Sequence, residues 1–413
     1  MKTYGVFGLG RSGKGTVDYL LARGDKVFAW DDGEAARAGI KCTDPKDWDW
    51  SEIDSLILSP GIPLTHPKPH YIVEAAKKYD TRIICDIEVL WEDNKDAKFV
   101  AITGTNGKST TTALIGHILK EAGYDVAVGG NLGTAALTLG KHEYYVIEMS
   151  SYQLDLVDRA RFDVAVWLNI SADHIDRHGD IDGYIKAKMK IFKNGNETAI
   201  IGTDDEYGPS IVKSVSWAES SDFVINITRN TKIGDFPNLP GLHNMQNINA
   251  ALEAAEALDV PEDVIMKAIR SFPGLHHRIE FVRDISGVKY VNDSKATNAD
   301  STQWALECYD NIYWIAGGVP KEGGIKSLER YFPKVTKAYL IGQAADEFAA
   351  TLEGKVKYEK VGTLENAVAK ARQEAKNGVV LLSPSCASFD QFKSYEHRGD
   401  VFKQLVKDQK DAA

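Results

Sequence analysis

Three α/β domains built on mostly parallel sheets are what this chain predicts, and three features carry that expectation. Its 413 residues exceed what one hydrophobic core organises, so two or three domains are expected. Short apolar runs recur, each followed by a glycine-containing turn and a helical pattern: YGVFGLG, KVFAW, SLILSPG, FVAITG, YYVIEMS, VAVWLNI, IYWIAGG, KAYLIGQ and VVLLSPS. Apolar runs of that length alternating with helices belong to parallel sheets covered on both faces. Two breaks then divide the runs into three groups. Polar WEDNKDAK, residues 91–98, reads as a linker, and Pro273-Gly274 ends a helical stretch from about Asn247 to Ser271. The expected domains are residues 1–96, 97–274 and 275–413. Residues 205–240 alternate weakly and carry no interpretable motif.

The first domain opens with Gly8-Leu9-Gly10-Arg11-Ser12-Gly13, a G-x-G-x-x-G directly after a strand. Asp31 and Asp32 follow the next strand at about the distance of a ribose-binding acid. The pattern is Rossmann-like and reports diphosphate-nucleotide geometry, which a dinucleotide of an NAD(P)-dependent oxidoreductase and a uridine diphosphate fit equally. Ser59-Pro60-Gly61 at the next strand end faces the same crevice or is a plain turn.

The second domain carries the most specific signal. Gly104-Thr105-Asn106-Gly107-Lys108-Ser109 follows the strand KFVAIT and precedes TTTALIGHILKEAG. Glycines let the backbone curl so that several N–H groups point inward. The helix start adds positive potential, Lys108 reaches terminal phosphates, and the Ser109 or Thr110 hydroxyl ligates Mg2+. The usual G-x-x-x-x-G-K-[ST] would place its first glycine at Ile102. The shortened G-x-x-G-K-S form disfavours motor and switch families and favours ATP-dependent ligases, making this a P-loop ATPase domain. Glu148 ends the strand YYVIE, where a carboxylate can take Mg2+. His174 and His178 in NISADHIDRHGD have zinc-protease spacing, but Ile175 occupies the general-base position, so that chemistry is excluded. Lys188 lies in the lysine-rich YIKAKMKIF, where spacing alone does not single it out from a solvated basic face.

The third domain, again Rossmann-like in its strand and turn pattern, carries GLHHRIE, VNDSKATN, AGGVPKEGG and LLSPSCASFDQFKSYEHRG. Asp293, Lys295 and Thr297 follow the strand VKYV, and Lys321 follows the Gly-Gly turn after IYWIA.

Composition bounds the function. Hydrophobic residues make up 43% and charged residues 26%, as in a soluble globular chain. A net charge of -10 argues against a nucleic-acid binder, which needs cationic surface to displace counterions. MKTYGVFGLG enters a strand pattern without a signal-peptide layout, and no run of about 20 apolar residues appears. A cytoplasmic chain without a membrane span is expected. The scattered Cys42, Cys85, Cys308 and Cys386 fit reduced thiols there.

Together these segments resemble the Mur ligase family over nearly the whole chain. GTNGKST is shared across that family and with folylpolyglutamate synthases, whereas DSKATN, SPGI and SPSCASFDQF are particular to its D-glutamate-adding branch. The resemblance implies a step of peptidoglycan synthesis. ATP phosphorylates the L-alanyl carboxylate of UDP-N-acetylmuramoyl-L-alanine, and the amine of D-glutamate attacks the acyl phosphate to give an amide, ADP and phosphate. A sister ligase using another amino acid is the nearest alternative.

The resemblance also implies roles. Lys108 and Ser109, with Thr110 nearby, hold the β/γ phosphates and Mg2+, and Gly104, Thr105, Asn106 and Gly107 complete the loop. Asn244, Asn247, Arg278 and Asp293 surround the rest of ATP. Glu148 and His174 serve a second Mg2+, and Lys188, by its place in Y-x-x-A-K, matches a carbamylated lysine that becomes an oxygen ligand. Asn131 faces the reacting phosphate and carboxylate. Arg11, Ser12, Asp31, Asp32, Ser59 and Gly61 receive the uridine nucleotide. Lys295, Thr297, Lys321, Ser388, Phe389 and Tyr395 surround D-glutamate. The chain departs from the pattern at Arg11, Asp32, Cys85, Val89 and Tyr395. A monomer is expected.

Overall fold

The computed structural model describes residues 1–131, 133–217, 221–230, 234, 236 and 238–409. Three sheets follow one another along the chain. The first runs β2-β1-β3-β4, all parallel, from β1 (Thr3–Phe7), β2 (Lys26–Trp30), β3 (Ser55–Leu58) and β4 (Arg82–Ile84). With it go α1 (Arg11–Ala22), α2 (Tyr71–Lys78) and α3 (Asp86–Asp93).

The second sheet is β5 (Lys98–Thr103), β6 (Val126–Gly130), β7 (Tyr144–Glu148), β8 (Val164–Trp167), β9 (Asn196–Gly202) and β10 (Ser221–Ile227). Its order is β10-β9-β8-β5-β7-β6, parallel throughout. Its helices are α4 (Lys108–Glu121), α5 (Ser151–Asp155), α6 (Ile175–His178), α7 (Ile181–Met189), α8 (Gly208–Trp217), α9 (Leu242–Glu256) and α10 (Glu262–Ser271). Because β5 lies between β7 and β8, the loop leaving it opens at a point where strand order reverses, where α/β sheets bind ligands.

The third sheet is β11 (Glu280–Ile285), β12 (Val288–Asn292), β13 (Ile312–Gly317), β14 (Val335–Ile341), β15 (Tyr358–Gly362) and β16 (Gly378–Leu382), ordered β11-β12-β16-β13-β14-β15. Helices α11 (Ala299–Cys308), α12 (Ala345–Leu352), α13 (Leu364–Glu374) and α14 (Tyr395–Lys407) accompany it. Only β11 is antiparallel to its neighbour among the described strands. Ser286 (φ 55°) and Gly287 (φ 81°) join β11 to β12 with both central residues left-handed, the geometry that suits a tight hairpin.

The chain falls into two compact units, Met1–Ile233 with Asn244–Ser271, and Gly234–His243 with Phe272–Ala413. In the first, one apolar cluster runs from Tyr4 to Val215 through both sheets, and further buried apolar residues, Val100, Ile102, Val146 and Val166 among them, lie outside it. A polar joint reinforces it. The Glu88 carboxylate, buried on α3, accepts the backbone N–H groups of Asp158, Arg159 and Ala160 at 3.1, 2.7 and 3.1 Å. Arg82 donates to Glu88, Glu92 and Asp158 at 2.5–2.6 Å. In the second unit successive residues of β13 face opposite cores, Trp314 and Ala316 one way, Tyr313 and Ile315 the other, as the two-residue period requires.

Two sequence expectations need correction. WEDNKDAK is not linker throughout: Trp91–Asp93 complete α3, the Asn94 side chain bonds Leu90 O at 2.8 Å to end it, and Lys98 opens β5. The helical stretch from Asn247 to Ser271 is two helices, because Asp259 is left-handed (φ 60°) and Pro261 has no N–H to continue the first. Residues 205–240, which carried no motif, include α8 and β10. Among the described residues no helix is long and apolar enough to cross a membrane.

Candidate active site

The phosphate-loop segment curls as its glycines allow. Gly104 has φ 155° and Gly107 φ 87°, and a Cβ at Gly107 would stand 2.2 Å from Asn247 Oδ1. The loop is pinned from β8: Thr105 N–H donates to Asn169 O and Asn106 N–H to Asn169 Oδ1, both at 2.9 Å. Asn169 in turn donates to Asn106 O at 3.2 Å and to Gln246 Oε1 at 2.9 Å. Buried Asn247 accepts from Thr111 Oγ1 at 3.3 Å and donates to Asn244 Oδ1 at 2.9 Å, tying α9 to the start of α4. Ser109 is half-buried and Thr110 buried in the first turn of α4, whose N–H groups and dipole favour an anion.

Lys108 Nζ folds back onto Gly104 O at 2.9 Å and Thr105 O at 3.0 Å. Lys188, on α7 and 1% exposed, donates to the same Gly104 oxygen at 2.9 Å and to Thr103 Oγ1 at 3.2 Å. Two ammonium groups on one carbonyl repel each other. Burial first, then Lys108, holds the Lys188 pKa well below the ordinary 10.5, with Asp173 and Glu148 opposing. The singular lysine among its neighbours is thus fixed by burial, which the sequence pattern did not reveal.

Glu148, 2% exposed at the end of β7, accepts from Asn131 Nδ2 through Oε1 at 2.7 Å. Its Oε2 is buried with no hydrogen-bond partner among the described residues. An orphaned carboxylate oxygen beside a phosphate loop fits a Mg2+ ligand. Among the described residues no group of three or more His, Cys, Asp and Glu is arranged to hold a metal ion.

His174 is left-handed (φ 53°) at the start of α6, its ring 5.0 Å from Tyr152 and 6.0 Å from Tyr184, and Nε2 3.5 Å from Asp173. His178 turns instead to Ser151 Oγ at 2.9 Å, and burial keeps its pKa below 6.5. The two histidines therefore have different partners.

At the carboxyl edge of the first sheet, a Cβ on Gly13 would meet Gly8 O at 1.9 Å, so α1 packs directly on the turn. The structure gives Asp31 to the backbone, accepting from Leu9 N at 2.6 Å and Gly33 N at 2.7 Å. Asp32 is half-exposed, with Tyr71 OH at 2.8 Å and His70 Nε2 at 3.1 Å. Ser12 donates to buried Asp86 at 2.6 Å, and Arg11 to Gly133 O at 2.8 Å. Ser59 N–H bonds Phe7 O at 2.9 Å. Arg177, next to the His174 turn, grips the SPGIP segment through the carbonyls of Pro60, Gly61 and Ile62 at 3.0–3.3 Å.

In the second unit Asp293 is buried and accepts from Ser383 Oγ at 2.7 Å and Ile279 N at 3.2 Å, and burial raises its pKa to about 7. Arg278 is exposed, Lys295 and Thr297 half-buried, and Lys321 exposed. Ser388 is buried, neighbouring Phe389 is 74% exposed, and the Tyr395 ring meets His277 edge-on at 6.1 Å. Sequence reasoning missed Asn169, Gln246, Arg177, Asp86 and Arg398. The motif strings contained Asn169, Arg177 and Arg398, yet nothing local distinguishes them from turn filler.

Comparison with known proteins follows this geometry. Residues 102–236 match the Mur ligase middle domain and residues 277–386 the Mur ligase glutamate ligase domain. The UDP-N-acetylmuramoylalanine–D-glutamate ligase of Nitrobacter winogradskyi is 46% identical, covering 98% of this chain and 96% of its own. That of Paramagnetospirillum magneticum is 45% identical, covering 97% and 95%. Among solved structures, UDP-N-acetylmuramate-alanine ligase of Thermotoga maritima superposes with a TM-score of 0.59 at 17% identity, over 99% of this chain and 100% of that one. At that identity it speaks for the fold.

Proposed function

Since the chain belongs to the Mur ligase family, we propose that it is the ATP-dependent ligase joining D-glutamate to UDP-N-acetylmuramoyl-L-alanine in peptidoglycan synthesis. One observation supports the chemistry above others: Lys108 and Lys188 meet at Gly104 O beside a buried, half-unpartnered Glu148. Phosphoryl transfer asks a protein mainly for positioning and charge neutralisation. Lys108 and the α4 N-terminus supply positive charge for the phosphates of ATP. Asn169 and Gln246 hold the loop so that little reorganises when the nucleotide enters.

Ser109, Thr110, Glu148 and His174 are the residues that would hold Mg2+, two ions by family likeness. When bound, the metal neutralises phosphate charge as the γ-phosphoryl group moves to the alanyl carboxylate. In its unprotonated form, which the lowered pKa favours, Lys188 Nζ is a nucleophile for CO2, and loss of one proton then leaves a carbamate, an oxygen ligand in place of a cation. Glu148 holds the Asn131 amide through Oε1 at 2.7 Å, and Asn131 would face the reacting phosphate and carboxylate by family likeness. Residues 1–96 take the uridine nucleotide, 97–274 ATP, and 275–413 D-glutamate. The protein acts in the cytoplasm as a monomer.

The test is phosphate release from ATP and Mg2+ with UDP-N-acetylmuramoyl-L-alanine and a panel of amino acids. Release with D-glutamate alone is expected, and no oxidation of NADH or NADPH. Release with a different amino acid would reassign the chain to a sister ligase, and intact ATP with every acceptor would refute ligase function.

A further inference from the structure

Arg398, in the first turn of α14, is 1% exposed and one of the largest side chains the fold buries completely. Buried cations ordinarily stand against a carboxylate. Among the described residues Asp293 and Asp390 lie within electrostatic range, and neither makes an ion pair with it. The guanidinium is instead used up on two loops. Nε donates to Ser294 Oγ at 2.9 Å, Nη2 to Ser294 O at 2.8 Å, and both Nη atoms to Cys386 O at 3.1 Å. The Ser294 hydroxyl in turn donates a hydrogen bond to Tyr395 O at 2.8 Å. A third loop packs on the same group. A Cβ on Gly318 would lie 3.3 Å from Nη1 and 2.3 Å from Ala387 O, and Val319 and Ala387 exchange backbone hydrogen bonds at 2.9 and 3.2 Å.

These three irregular stretches carry Lys295, Thr297, Lys321 and Ser388. Without regular structure, their backbones are set by what holds their carbonyls, and one planar fork reaches two of them at once, which a lysine cannot do. Burial lowers the Arg398 pKa to about 10, so the group stays charged at neutral pH. A charge without an ion pair favours a ligand that brings negative charge nearby.

We propose that Arg398 is a positioning residue for the subsite of the acidic amino acid, fixing the loops that present its cationic and hydroxyl partners. The assignment rests on the D-glutamate ligase function given above. The experiment uses the full chain and measures KM separately for D-glutamate, ATP and UDP-N-acetylmuramoyl-L-alanine in wild type, Arg398→Lys and Ser294→Ala. Arg398→Lys should raise KM for D-glutamate about tenfold or more and change the other two by less than about twofold. Ser294→Ala, which removes the Nε acceptor and the hydroxyl's bond to Tyr395 O but keeps the Ser294 carbonyl that Nη2 holds, should shift the same constant about threefold. Parallel rises in all three constants, or a fall in kcat with KM for D-glutamate unchanged, overturn the proposal. If Arg398→Lys lacks a cooperative thermal transition, Ser294→Ala decides alone, an unchanged KM for D-glutamate counting against it. Wild type that releases no phosphate with D-glutamate would refute the ligase function itself, whereas active wild type with unselective variants refutes only the role of Arg398.

Discussion

Lys188 shows how far a single residue's chemistry depends on its surroundings. In the sequence it is one lysine in a run, and in the structure it is the buried one, beside a second ammonium on a shared carbonyl. Lys188→Ala is expected to abolish ligation with the fold intact, and a short carboxylate such as acetate should restore part of the rate if a carbamate is what the side chain becomes. Wild-type activity in the variant would exclude the role. Asp293 offers a test through pH. Its folded pKa of about 7 lies above the ordinary 3.8. The stability it contributes is therefore complete below about pH 4 and is lost as pH rises toward 7. Asp293→Asn, which cannot ionise, should gain on wild type by a few kcal/mol between about pH 4 and pH 8 in urea unfolding. A pH-independent difference would show that Asp293 does not titrate there. Residue-scale features of this kind were the least legible in sequence, because burial and a neighbour 80 positions away, as Lys188 has in Lys108 (188 minus 108), leave no local pattern.

Elements were legible wherever a local rule decided them. The glycine-lysine loop could be placed because glycine, helix start and preceding strand fall within a dozen residues. The α9–α10 break was hidden because the apolar spacing continues across it, and only Asp259 and Pro261 mark the stop. Of the β11–β12 hairpin only the second strand, VKYV, was legible, because the run EFVRDI before the Ser286-Gly287 turn is too polar to read as one. At the loop itself, Gly107→Ala combines a left-handed backbone with a 2.2 Å approach to Asn247. It should cost about 1–2 kcal/mol from the backbone alone and weaken ATP binding by tenfold or more on the order of the clash it creates. Gly123→Ala, at φ 85° with nothing within 4 Å of its Cβ, is the comparison. It should cost about 1 kcal/mol with unchanged calorimetric ATP affinity. Equal ATP affinity in both variants would mean that contact with Asn247 does not shape the loop.

At the scale of the molecule, three sheets of α/β type were legible because parallel strands buried on both faces leave unmistakable apolar runs, nine of which correspond to strands in the fold. How the sheets are grouped was not legible, since a polar joint such as Glu88 with three N–H groups of residues 158–160 joins segments 70 or more positions apart. Removing this buried carboxylate leaves Arg82 with Glu92 and Asp158 but strands the three N–H groups, which costs at least about 1–3 kcal/mol. Glu88→Ala should lower the urea midpoint accordingly, and a change of less than about 1 kcal/mol would show the joint to be incidental.

The same joint sets what happens if the backbone is severed. Between Asn94 and Ala97 the chain is neither helix nor strand, yet apolar side chains from Tyr4 to Val215 interlock on either side of that point. A protease that nicks there should yield two fragments that separate in detergent but elute as one species from a sizing column.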